Sequence, residues 1–76
     1  MPNNLPPVHG EPLTAREIEV MEALNRGLSY KLIGDELDVS ASTVKYHLQR
    51  CFRKLGATNN VHAAVLFERS KTVATA

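Results

Sequence analysis

The stretch Ser40-Ala41-Ser42-Thr43-Val44-Lys45-Tyr46-His47-Leu48-Gln49-Arg50-Cys51-Phe52-Arg53-Lys54-Leu55, followed by Gly56, decides how this 76-residue chain folds. At 3.6 residues per turn, Val44, Leu48, Cys51, Phe52 and Leu55 fall on one arc, the apolar stripe of a helix that faces a core. The opposite arc collects Ser42, Lys45, Tyr46, Gln49 and Arg53, with His47, Arg50 and Lys54 on its shoulders. That second face holds donors, cations and one aromatic, and no acid. Ser40 is a good N-cap, and Gly56 suits the left-handed position after a helix, so the pattern predicts one helix over 40–55.

The neighbouring segments start in the same way. Val39, Ser40 and Val44 form an apolar residue, a cap and an apolar residue four positions on, and Leu28, Ser29 and Ile33 repeat the arrangement. This predicts a short helix over 29–37, joined to the next by Asp38-Val39 at the steep angle of a helix-turn-helix. Further upstream, Thr14-Ala15-Arg16-Glu17 reads as a capping box, with Leu13 and Ile18 placed for an apolar staple and Gly27 as the stop. A helix over 14–26 follows, turning Val20, Met21 and Leu24 inward, with Leu28 at its exit. Downstream, Thr58 or Asn59 caps a fourth helix over about 59–70. Val61, Ala63, Ala64, Val65, Leu66 and Phe67 there exceed what one inward stripe uses, so some of them are expected at the surface.

The expected architecture is therefore all-α, a four-helix domain over 13–70 whose second and third helices form a helix-turn-helix. A flexible lead-in, 1–12, holds all four prolines, and a frayed tail occupies 71–76. With 43% hydrophobic and 22% charged residues the chain has the composition of a folded domain. A single cysteine, Cys51, makes no internal disulfide, and its place on the apolar arc marks it as a buried, inert thiol. His9 and His62 lack the spacing of metal ligands. No run of about 18 apolar residues and no signal peptide is present, so the expected compartment is the cytoplasm.

Charge is uneven along the chain. Residues 1–39 carry seven acids against Arg16, Arg26 and Lys31, a net of −4, whereas residues 40–56 carry Lys45, Arg50, Arg53 and Lys54 and no acid, a net of +4. A local cationic helix points to a local anionic partner. A helix of this diameter enters the major groove of B-DNA, where Lys and Arg reach guanine O6 and N7 and Gln bridges adenine N6 and N7.

Several fixed-spacing motifs carry a resemblance: Leu13-Thr14-x-Arg16-Glu17-x-Glu19-Val20, Gly27-Leu28-Ser29, Ile33, Leu37, Ser40-x-x-Thr43-Val44-Lys45-x-His47 and Lys54-Leu55-Gly56-x-x-Asn59. Over roughly 13–68 the chain resembles the LuxR/FixJ (GerE-type) DNA-binding domain. That resemblance implies a four-helix fold and a bacterial transcription regulator that is either the output end of a longer protein or free-standing. Met1 leans only slightly toward the free-standing form, and the sequence leaves both open. It further implies double-stranded DNA as partner and a homodimer through helix four, on a two-fold related site, with Val61, Val65, Leu66, Glu68 and Arg69 as the candidate interface. Carried over by position, Lys45, Tyr46 and Gln49 face base edges. Ser42, Thr43, His47, Lys54 and the start of helix two, Ser29, Tyr30 and Lys31, touch phosphates. Arg50 and Arg53 are bidentate to guanine or to phosphate, and the sequence leaves both open, although they join the base-contacting candidates.

Four positions depart from the family pattern. Gly34 stands where Ala is usual and is expected to loosen helix two. Cys51 and Ala57 replace larger aliphatic residues, and Asn60 replaces an Arg near the start of helix four. No cofactor, metal or small-molecule ligand is expected, and no nucleophile with its base, carboxylate pair or phosphate-cradling loop suggests an enzyme. The rival reading is a protein-interaction module that antagonises another regulator through helix four. The acid-free third helix argues against it.

Overall fold

Hydroxyl and amide caps set the helix starts. Thr14 Oγ1 accepts from the Glu17 amide at 3.1 Å while Glu17 Oε1 accepts from the Thr14 amide at 2.9 Å, the reciprocal box that opens α1 (Ala15–Asn25). Ser29 Oγ takes the Leu32 amide to open α2 (Tyr30–Leu37), and Ser40 Oγ takes the Thr43 amide to open α3 (Ala41–Leu55). Asn59 is the cap of α4 (Asn60–Thr75), its Oδ1 accepting from the His62 amide at 2.8 Å, and His62 Nδ1 reaches back to the Thr58 amide. The computed structural model describes residues 8–75; most of the expected lead-in, residues 1–7, and Ala76 lie outside them. The described residues are four helices with no strand, as expected of an all-α domain.

The third helix is the axis of the fold, packed against each of the other three. Its Val44, Leu48 and Cys51 meet Val20, Met21 and Ala23 of α1, Ile33 of α2, and Ala63 and Phe67 of α4 in one buried cluster. Phe52 and Leu55 are half-buried at its edge, so the apolar arc read from the sequence is the buried one. Leu13, Leu24 and Leu28 also lie against this cluster, whereas Ile18 stays at the surface and leaves the expected staple half made.

Between α2 and α3 the chain turns through Asp38, whose φ of 61° is left-handed, and the Val39 amide donates to the Gly34 carbonyl at 2.9 Å. Gly34 corrects an expectation. A Cβ there would sit 2.5 Å from the Val39 carbonyl oxygen, so glycine lets the turn close onto α2 and does not merely loosen the helix. Helix α3 ends at Gly56, φ 73°, with the Ala57 amide donating back to the Phe52 carbonyl at 2.8 Å.

Two boundaries move. Residues 8–12 are not a free lead-in: the Gly10 amide donates to the Lys54 carbonyl at 2.9 Å, Lys54 Nζ donates to the Pro12 carbonyl, and the His9 ring lies over Gly56. They form a strap across the C-terminal end of α3. The last helix continues to Thr75, past the end expected near 70, because neither glycine nor proline follows Asn60 to stop it.

Candidate nucleic-acid interface

A short α2, a three-residue turn and a 15-residue α3 present the outer arc of α3 to solvent. Ser42, Lys45, Gln49 and Arg53 are exposed, and the Tyr46 side chain stands out at 55% exposure. These are four of the five residues expected to face base edges, Arg50 being the fifth, together with Ser42, expected at a phosphate. The hydroxyls at the start of α3 are ordered by each other, Ser40 Oγ and Thr43 Oγ1 being 2.9 Å apart. At the start of α2, Ser29 and Lys31 are exposed, with Lys31 paired loosely to Asp35 one turn on. Tyr30 is half-buried against the core and its hydroxyl reaches Asn60 Oδ1 at 3.5 Å. The N-termini of α2 and α3, each capped by a serine hydroxyl, carry first-turn amide donors of the kind suited to an anion.

Lys54 requires a correction. Expected at a phosphate, it is buried, and its Nζ lies 2.6 Å from Glu17 Oε1. An ammonium in a dry interior must be paired, and Glu17 of α1 pairs it, so this cation belongs to the core. Arg50 is also drawn inward: its Nε donates to Glu17 Oε2 at 3.2 Å, and its side chain keeps 25% exposure. Glu17 thus holds Thr14, Lys54 and Arg50 with one carboxylate. Burial alone pushes its carboxyl up, but the hydrogen bonds from Lys54, Thr14 and Arg50 outweigh that and hold it below the ordinary value.

The central role of Glu17 was missed from sequence because the capping box accounts for only one of its contacts. A signal was available. Lys54 follows Cys51 by three residues, on the inward shoulder of α3, and a lysine at such a position needs an acid from another element.

His47 is half-buried, and desolvation first, with Arg16 and Arg50 adding repulsion against the pull of Glu17, lowers its basicity. This favours the neutral imidazole, which can donate one hydrogen bond. Cys51 is fully buried, its S–H pointing to the Glu17 carbonyl at 3.7 Å, and burial pushes its thiol up to about 12. It stays protonated and unreactive.

Between α1 and α4 lies an open groove lined by Leu24, Ala64 and Val65 among others. Val61 is 75% exposed and Val65 47%, while Leu66 is half-buried and Glu68 and Arg69 are exposed. Glu68 Oε2 accepts from Asn25 Nδ2 at 3.0 Å, tying the groove's two walls together. No group of three or more metal-ligating side chains and no helix long and apolar enough to cross a membrane occurs among the described residues.

Residues 11–67 match the GerE family, described as bacterial regulatory proteins of the luxR family. The nitrate/nitrite response regulator protein NarP of Escherichia coli is 44% identical over 55 residues, covering 72% of this chain and 26% of that protein. The transcriptional regulatory protein YxjL of Bacillus subtilis is 40% identical over 63 residues, 83% of this chain and 29% of its own length. The HTH-type transcriptional regulator MalT of Vibrio campbellii is 38% identical over 61 residues, 80% of this chain and 7% of its own. The chain thus spans less than a third of each of these relatives. They are transcriptional regulators, and the matched segment contains all of α1, α2 and α3.

Proposed function

The chain belongs to the luxR family of bacterial regulatory proteins, and from that premise we propose that it binds specific DNA sites by inserting α3 into the major groove. The observation that carries this reading is the outer arc of α3, where Ser42, Lys45, Tyr46, Gln49 and Arg53 are exposed without an acid among them. Lys45 and Gln49 are the chemical partners of guanine and adenine edges. Ser29, Lys31, Thr43 and His47 take phosphates and fix the docking register. Arg53 supplies a guanidinium at the rim, for a guanine or a phosphate.

A homodimer completes the site. Val61 and Val65 offer an apolar patch that a second copy covers by two-fold symmetry, with Leu66, Glu68 and Arg69 around it. Dimers of this kind place their recognition helices about one helical turn, roughly 10 bp, apart. Affinity rests chiefly on phosphates and falls steeply with salt. The compartment that fits this activity is the bacterial cytoplasm.

Selection of bound duplexes from a random pool, followed by titration at low and high salt, tests the proposal. A paired motif with half-sites about 10 bp apart and a steep salt dependence supports it. Failure to enrich any sequence, with negligible DNA affinity at either salt, favours the protein-interaction reading and contradicts this one.

A further inference from the structure

Arg50 lies at the edge of the DNA-facing arc, and its surroundings differ from those of Lys45, Gln49 and Arg53. Its Nε donates to Glu17 Oε2 at 3.2 Å, and the Glu17 side chain is only 2% exposed. Its guanidinium carbon sits 5.8 Å from the centroid of the Tyr46 ring, one helical turn back. Side chains on a helix lean toward its N-terminus, so a residue at 50 naturally reaches 46. The His47 ring meets Tyr46 edge-on, with centroids 5.7 Å apart. Tyr46 is thus bounded by a cation and by an imidazole, while more than half of its surface remains open.

A bidentate base contact that uses the Nε edge, the edge bonded to Glu17, would draw Arg50 away from these partners. Glu17 Oε2 would then lose its hydrogen bond from Arg50, inside a region nearly closed to water, and buried acceptors are costly to leave unpaired. Keeping Arg50 on Glu17 preserves that bond and keeps the cation beside the aromatic ring, an arrangement that limits the ring's motion. A tyrosine held at one angle presents its rim consistently to a base edge, where apolar contact with a thymine methyl is one means of discrimination.

We propose that Arg50, anchored by Glu17, is a positioning residue that orients Tyr46 for base readout and makes no base contact itself. This rests on the DNA-reading function proposed for α3. It assigns to an α1 residue, remote from the outer arc, a part in sequence preference.

The test uses the duplex with the highest affinity from the random-pool selection, together with all its single base-pair substitutions, titrated with the unsubstituted protein, Tyr46→Ala, Arg50→Ala, Arg50→Lys and the Tyr46→Ala/Arg50→Ala double variant. Arg50 is partly exposed, and Glu17 keeps Lys54 when it is replaced, so these chains fold; circular dichroism verifies this. The expected result is that Tyr46→Ala and Arg50→Ala weaken discrimination at the same base pair, the latter by roughly three-fold. The double variant should discriminate no worse than Tyr46→Ala, and Arg50→Lys should not restore the preference, since lysine lacks the Nε bond and the planar group. Loss at a different base pair that multiplies with Tyr46→Ala makes Arg50 a base reader and overturns the proposal. Uniform weakening on every duplex with a shallower salt slope makes it a phosphate contact, and no change makes it a bystander; either overturns it. Equal affinity of the unsubstituted protein for every duplex contradicts sequence reading by α3 itself, a failure visible before any variant is compared.

Discussion

Lys54 Nζ lies 2.6 Å from Glu17 Oε1, joining the last turn of α3 to the first turn of α1 inside the fold. Glu17 is also the N3 residue of the α1 capping box, so one carboxylate closes a helix start and fixes the angle at which α3 leaves the core. The outer arc of α3, proposed to read DNA, is thereby tied to a buried ion pair.

Lys54→Met leaves Glu17 without its closest cation. Breaking a buried pair from one side costs about 3–5 kcal/mol, and the surviving contact with Arg50 should place the loss near the lower end. Urea unfolding measures it; a loss below about 1 kcal/mol would mean that the pair contributes little.

Acid should weaken the fold through the same group. Because the folded state holds the Glu17 carboxyl below its ordinary value, the stabilisation is fully present above the ordinary glutamate range, near pH 4.3, and is lost as pH falls through the lower folded value. Thermal melts between pH 7 and pH 3 should show this decline, and Glu17→Gln should flatten it. An unchanged slope in Glu17→Gln would assign the acid sensitivity to other carboxylates.

Gly34→Ala separates helix propensity from packing. Alanine in a helix interior gains about 0.5–1 kcal/mol over glycine, but the new methyl would meet the Val39 carbonyl oxygen at 2.5 Å. Because that oxygen belongs to the backbone of the turn, overpacking should win, with a net loss of about 1–2 kcal/mol in unfolding experiments. A stabilised Gly34→Ala protein would show that the turn yields easily.

These positions show what was legible in the sequence. Caps and periodicity located α1, α2 and α3 because Thr14, Ser29 and Ser40 act on amides three residues away, and the apolar arc of α3 needs only a count along the chain. Most of the outer arc was read the same way. The errors involve contacts between residues distant in sequence. Lys54 looked like a surface cation until α1 brought Glu17 to it, Gly34 looked like a weak helix residue until the turn folded over it, and Gly10 had no local sign of its bond to the Lys54 carbonyl.

That bond predicts a role for the strap. Removing residues 1–10 deletes the Gly10 donor and uncovers Gly56, so hydrogen exchange should quicken for amides in the last turn of α3. Unfolding stability should fall by about 1 kcal/mol. Unaltered exchange there would show that α3 closes its own end without the strap.

His47 should make DNA affinity depend on pH. Burial lowers its basicity in the free protein, and a phosphate favours its protonated form, so binding should strengthen on acidification and should do so less in His47→Gln. Anisotropy titrations at pH 7.5 and 5.5 in constant salt test this, and an identical pH response in both proteins would remove His47 from the phosphate contacts.

Lys45→Ala and Gln49→Ala should each cost about 1–3 kcal/mol on the selected duplex and relax the preference at one base pair. Lys31→Ala should weaken all duplexes alike and lower the salt slope by about one. Equal losses on every sequence for Lys45→Ala or Gln49→Ala would reclassify these residues as phosphate contacts.

The most direct test of the account is to map DNA onto the protein. Isotope-labelled protein titrated with the selected duplex should show its largest NMR shifts at Ser42, Lys45, Tyr46, Gln49 and Arg53, with smaller ones at Ser29 and Lys31. Shifts confined to α4 and the groove beside Leu24, with the outer arc of α3 unmoved, would contradict it.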